Sequence, residues 1–123
     1  MNTKPKILLV EDHVHMLAAL RFMLRRDYEI VEATDGIEGL DIFRKNPDAA
    51  LMISDNGMPG MLGVDLIAAI KSERPEFPVI LLSGDEKEPS GHKANMYLQK
   101  PFDEKGIRKA INGLIAKSVT PAP

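Results

Sequence analysis

Four short apolar runs, each stopping abruptly at a polar residue, constrain this chain more than any other feature. Ile7-Leu8-Leu9-Val10 stops at Glu11, Ala50-Leu51-Met52-Ile53-Ser54 at Asp55, and Val79-Ile80-Leu81-Leu82 at Ser83. The shorter run from Met96 to Gln99 leads into Lys100-Pro101. Residues that are apolar consecutively, not alternately, suit strands covered on both faces, as in a parallel sheet. The stretches between them have helical periodicity. Val14 to Arg26 carries Leu17, Leu20 and Leu24 on one side, with Arg21, Arg25 and Arg26 opposite. Tyr28 to Ala33 reads as a further strand, Asp35-Gly36 as a turn, and Leu40 with Phe43 as the inner face of a helix ended by Asn46-Pro47. Val64 to Arg74 turns Leu66, Ile67 and Ile70 inward and is closed by Pro75 and Pro78. A last helix is expected to start near Asp103, a competent N-cap, and to present Ile107, Ile111 and Leu114 at i, i+4, i+7. Strands alternating with helices predict an α/β domain with a doubly wound parallel sheet of five strands.

With 123 residues, 44% apolar and 28% charged, the chain suits one domain with a real core. Sixteen Lys and Arg against 18 Asp and Glu leave a net charge of −2, which argues against a generic nucleic-acid or anionic-membrane surface. No apolar run approaches the ~20 residues that cross a bilayer. The start, Met1-Asn2-Thr3-Lys4-Pro5, does not read as a signal peptide. With no cysteine there are no disulfides, thiolate metal sites or thiol nucleophiles. A cytoplasmic location fits.

In such sheets ligands bind at the carboxyl ends of the strands, near the topological switch point. The candidate site is therefore Glu11-Asp12, Asp55, Ser83 and Lys100. Three carboxylates brought together repel one another, and an oxygen-seeking divalent cation such as Mg2+ is the natural partner. Formal charges then cancel, with the three acids set against Mg2+ and Lys100. Converting Asp55 to an acyl phosphate would add about one negative charge, held by the metal, Lys100 and the Ser83 hydroxyl. Positioning and charge stabilisation are what phosphoryl transfer demands.

These residues resemble the receiver domain of two-component response regulators. The resemblance is carried by Glu11-Asp12, Asp55 with Met58-Pro59 and Gly63, Ser83-Gly84, and Lys100-Pro101-Phe102, and it runs from about Lys6 to Lys117. It implies a flavodoxin-like sheet of order 2-1-3-4-5, with residues 1–119 as the receiver domain and 120–123 as a terminal tail or linker stub. It implies Asp55 as the phosphoacceptor, loaded by a histidine kinase or phosphotransfer protein. Glu11, Asp12, Asp55 and the backbone carbonyl of Gly57 would hold Mg2+, and Ser83 and Lys100 would stabilise the phosphoryl group. Ser83 and Tyr97 would act as switch residues, and Lys100-Pro101 would be a cis peptide bond. The module would assist its own phosphorylation and dephosphorylation without being an enzyme that turns over free substrate, and the output partner is left open.

Each residue alone has a plainer explanation. Glu11-Asp12 could cap a helix, Asp55 form a turn, Ser83-Gly84 end a strand, Lys100 lie in solvent and Tyr97 half-bury on a strand. The bland account needs all of them at one sheet edge by accident. His13 and His15 are expected to be solvated, because an i, i+2 spacing at a helix start does not converge, and His92 has no evident partner in its polar loop. The methionines read as core filling. Alternatives to the phosphoacceptor are a phosphorylation-independent interaction module and a phosphatase of the haloacid dehalogenase type, which wants a second acid where Gly57 stands.

The pattern departs from the family in three places. Only the 12 residues from Gly84 to Asn95 join the fourth strand to the fifth, and Pro89, Ser90 and Gly91 fall among them. The helix of this fourth crossover is therefore expected to be absent or about one turn long, which counts against the usual receiver dimer. Asn56 stands where an apolar residue is common, and Leu62 where an acid or amide is frequent.

Overall fold

The apolar runs form the strands they predict. In the computed structural model, which describes residues 4–84 and 88–118, the elements follow the order β1 (Lys6–Val10), α1 (Val14–Leu24), β2 (Glu29–Ala33), α2 (Gly36–Lys45), β3 (Leu51–Asp55), α3 (Gly63–Glu73), β4 (Val79–Ser83), β5 (Met96–Gln99) and α4 (Glu104–Ser118). The expected tail at 120–123 lies outside the described residues. The strands make one sheet, β2-β1-β3-β4-β5, with every neighbouring pair parallel. That is the flavodoxin-like order.

Because successive side chains on a strand point to opposite faces, each central strand feeds two cores. Ile7, Leu9, Ile53, Ile80 and Leu82 face α1 and α4, where Leu17, Leu20, Leu24, Ile107, Ile111 and Leu114 pack on them. Leu8, Val10, Met52, Val79 and Leu81 face α2 and α3, meeting Phe43, Leu66, Ile67 and Ile70. Both faces are covered, so β3 and β4 are buried along their whole length. Met52 and Met58 are buried and Met16, Met23, Met61 and Met96 pack against the cores, as filler side chains should. Asp103 begins α4 as expected, its Oδ1 accepting from the Gly106 N–H at 2.7 Å.

The fourth crossover carries no helix among its described residues, Gly84 and 88–95; residues 85–87 lie outside the description. Pro89 lacks an N–H and Gly91 adopts φ 71°, both against a helix. Side chains fasten the segment instead. Asn95 Oδ1 accepts from the Val79 N–H at 3.0 Å and from Lys71 Nζ at 2.6 Å, while its own N–H donates to the Val79 carbonyl at 2.9 Å. His92, expected to lack a partner, pairs with Glu88 and lays its ring 5.9 Å from that of Tyr97. The His92 ring thus lies beside Tyr97, and β5 stays only half-buried.

Candidate functional site

The register of the sheet gathers the candidate residues. Glu11 follows β1, Asp55 ends β3, Ser83 ends β4 and Lys100 follows β5. Val10 lies beside Ser54, Asp55 beside Leu82 and Ser83 beside Gln99, so all four project from one edge. The chain passes from β1 outward to β2 and then back to β3, which places the switch point between the strands bearing Glu11 and Asp55.

Glu11 is 1% exposed and Asp55 5% exposed, so both carboxylates need compensation. Lys100 supplies it, with Nζ 2.8 Å from Asp55 Oδ1 and 3.3 Å from Glu11 Oε1. Burial alone would lower the Lys100 pKa. The hydrogen bond and charge of Asp55, joined by those of Glu11, outweigh it and hold the ammonium above its ordinary range. The lysine is positioned from the backbone, since its N–H donates to the Ser83 carbonyl at 2.8 Å. The peptide bond between Lys100 and Pro101 is cis. Ser83 itself is buried at the end of β4.

Lys100 engages Glu11 and Asp55, and the remaining acid is differently placed. Asp12 Oδ1 is buried without a hydrogen-bond partner. A buried carboxylate oxygen left in that state is costly, and a cation is the partner that satisfies it. The oxygen-rich donor set at this edge fits Mg2+. Among the described residues, the group of three with ligand atoms within 4.8 Å of one another is Glu11, Asp12 and His13. Asp55 does not complete such a group; it is drawn toward Lys100. Gly57 stands in an open part of the loop, where an added Cβ would meet nothing within 4 Å.

His13 is exposed, as the sequence predicts, and it also makes a contact that the sequence does not predict. Its side chain is 72% exposed, yet Nδ1 lies 3.3 Å from Glu11 Oε2 and 3.5 Å from Asp12 Oδ1. The backbone N–H of His13 also donates to Glu11 Oε2 at 3.2 Å. Spacing alone missed this because Glu11 turns back toward the helix start instead of facing outward. Tyr97 is half-buried on β5, and its hydroxyl, enclosed by protein, has no hydrogen-bond partner.

Two further residues build the site. Gly63 begins α3 against the end of β3, where an added Cβ would come within 2.4 Å of the Asp55 carbonyl oxygen and 2.8 Å of Asn56 Cα. Asn56 caps the same helix: its carbonyl accepts from the Gly63 N–H at 2.9 Å and its Oδ1 from the Val64 N–H at 3.1 Å. Leu62, at the N-cap position, makes no side-chain cap bond. The cap that Leu62 cannot make is thus supplied by the Asn56 side chain.

The sequence matches the family described as the response regulator receiver domain over residues 7–112. It is 34% identical over 119 residues to a histidine kinase of Formosa agariphila, a match covering 91% of this chain but 9% of the kinase. It is 28% identical to the chemotaxis protein CheY homolog of Campylobacter jejuni, covering 89% of this chain and 92% of that one. A solved response regulator receiver domain from Clostridium thermocellum superposes with a TM-score of 0.82 at 30% identity, over 92% of this chain and 95% of the other. No helix among the described residues is long and apolar enough to cross a membrane.

Proposed function

Since the chain belongs to the response regulator receiver domain family, we propose that it is a phosphoacceptor module, taking a phosphoryl group on Asp55 from a phosphohistidine donor. The observation that carries this reading is the Lys100 ammonium 2.8 Å from the Asp55 carboxylate, at a sheet edge shared with Glu11, Asp12 and Ser83. An Asp55 oxygen attacks phosphorus as the P–N bond to the donor imidazole breaks, and the departing nitrogen keeps the electron pair. Lys100 then holds the acyl phosphate against the charge of Glu11, and the Ser83 hydroxyl offers it a hydrogen bond. Asp12 and Asp55, with Glu11 and the Gly57 carbonyl, would hold Mg2+, which supplies positive charge toward the phosphoryl oxygens. The donor is a histidine kinase or a phosphotransfer protein, a reading supported by the match to a kinase of which this chain spans 9%.

Readout would follow from Ser83 and Tyr97. Leu81 pairs with Tyr97 and Ser83 with Gln99, so Ser83 and Tyr97 share the sheet face that α2 and α3 cover, beside a β4–β5 crossover with no helix among its described residues. A dimer built on a helix of that crossover together with β5 and α4 would find no such helix among the described residues.

The test is incubation with Mg2+ and acetyl phosphate, followed by intact mass. A stable phosphoryl adduct on the wild type, absent from Asp55→Asn, is expected. No adduct and no binding of beryllofluoride would overturn the reading in favour of a phosphorylation-independent interaction module. Steady turnover of phosphate esters would overturn it in favour of a phosphatase.

A further inference from the structure

The geometry points to His13 as a nitrogen ligand of the cation site, one that favours a divalent first-row transition ion over Mg2+. This rests on the cation reading above and concerns which ion the site prefers. Receiver chemistry asks only for oxygen donors, yet here the three ligand atoms within 4.8 Å of one another are two carboxylate oxygens and an imidazole nitrogen. Lys100 already pairs with Glu11 and Asp55, whereas Asp12 Oδ1 has no hydrogen bond and lies 3.5 Å from the ring nitrogen. An ion between Asp12 and His13 gives that oxygen its missing partner and uses the ring nitrogen's lone pair.

To serve in this way the ring gives up the Nδ1 proton it turns toward Glu11 Oε2, 3.3 Å away. His13 occupies the N-cap position of α1 with extended backbone, makes no side-chain cap bond there and is 72% exposed, so nothing in the core holds its side chain. An imidazole adds little to the binding of Mg2+, a hard ion that prefers oxygen and keeps its waters. It adds more for manganese and the ions after it in the Irving–Williams order. His15, two residues on, takes no part in the group.

The test uses Mn2+ and Mg2+ separately, by calorimetric titration of the full chain and of His13→Ala, together with the electron spin-echo spectrum of the Mn2+ complex. The variant is expected to fold, since the side chain it removes is exposed. Losing the imidazole should lower Mn2+ affinity about tenfold and Mg2+ affinity by less than about twofold. The wild-type Mn2+ complex should show nitrogen coupling that disappears in His13→Ala. Equal losses for both ions, no loss for either, or no nitrogen coupling in the wild type would each overturn the assignment of His13. If neither ion binds the wild type, the cation reading itself falls, and the two failures are thereby distinguished.

Discussion

Gly63 and Lys100 each hold Asp55 in place, one through backbone proximity and the other through charge. A methyl group at 63 would meet backbone atoms, the Asp55 carbonyl oxygen at 2.4 Å and Asn56 Cα at 2.8 Å, so the end of β3 and the start of α3 would have to separate. Alanine's better helix propensity returns less than about 1 kcal/mol, and overpacking costs about 1–3 kcal/mol, so the clash wins. Gly63→Ala should lower the urea midpoint and slow phosphorylation by acetyl phosphate, because the backbone that shifts carries the acceptor. For Lys100 the argument is electrostatic. Its folded pKa stands above the ordinary 10.5, so its stabilising contribution is fully present below that value and is lost as pH rises through the folded pKa. Lys100→Gln should therefore be less stable than wild type at neutral pH. The cost is about 1–2 kcal/mol, below that of a fully enclosed pair because the lysine is partly solvated. Thermal melts across an alkaline pH series should show the gap narrowing above 10.5. A gap that stays constant through that range would show that the charge of Lys100 is not what stabilises the edge.

At the scale of elements, the start of α3 is capped from Asn56, six residues before its N-cap Leu62. Asn56→Leu restores the commoner apolar residue but removes the acceptor of the Val64 N–H, a loss of about 1 kcal/mol. In that background Leu62→Asp should recover most of the loss by capping from the N-cap position itself. Chemical denaturation of the two single variants and the double would measure the coupling, and strictly additive effects would show that the caps are independent. The three central strands were legible in the sequence because burial on both faces makes them almost continuously apolar, and the site was legible because each run stops at the residue that enters it. The lack of a helix among the crossover's described residues was legible for the same local reason, since Pro89 and Gly91 oppose one within a segment of 12 residues. What could not be read was contact across the fold. The cap from Asn56, the seat of His92 on Tyr97 and the turn of Glu11 toward His13 all depend on where the backbone brings distant or reversed groups, and no periodicity encodes that.

For the whole molecule, the site works against the fold that carries it. The topology sets Glu11, Asp12 and Asp55 at one sheet edge with Lys100 as the cation bonded to two of them, so an excess of negative charge is held together by the packing of both cores. Removing the charge of Asp12 relieves repulsion and leaves a neutral amide atom in place of a charged oxygen without a hydrogen bond, a smaller burial cost. Asp12→Asn should thus be more stable than wild type in the absence of divalent cations, by about 1 kcal/mol once solvent screening is allowed for. The same change deletes the carboxylate the cation would use. A ligand that binds only the folded state stabilises it by about 2.7 kcal/mol at a hundred times its dissociation constant. Wild type should show that rise in urea midpoint as Mg2+ is added, and Asp12→Asn should show almost none, so the order of the two stabilities inverts along the titration. Equal Mg2+ stabilisation of both proteins would place the cation elsewhere, and a destabilised variant without cation would mean that Asp12 supports the fold directly. The inversion is the expected signature of a sheet edge whose charge is tolerated by the fold because an ion completes it.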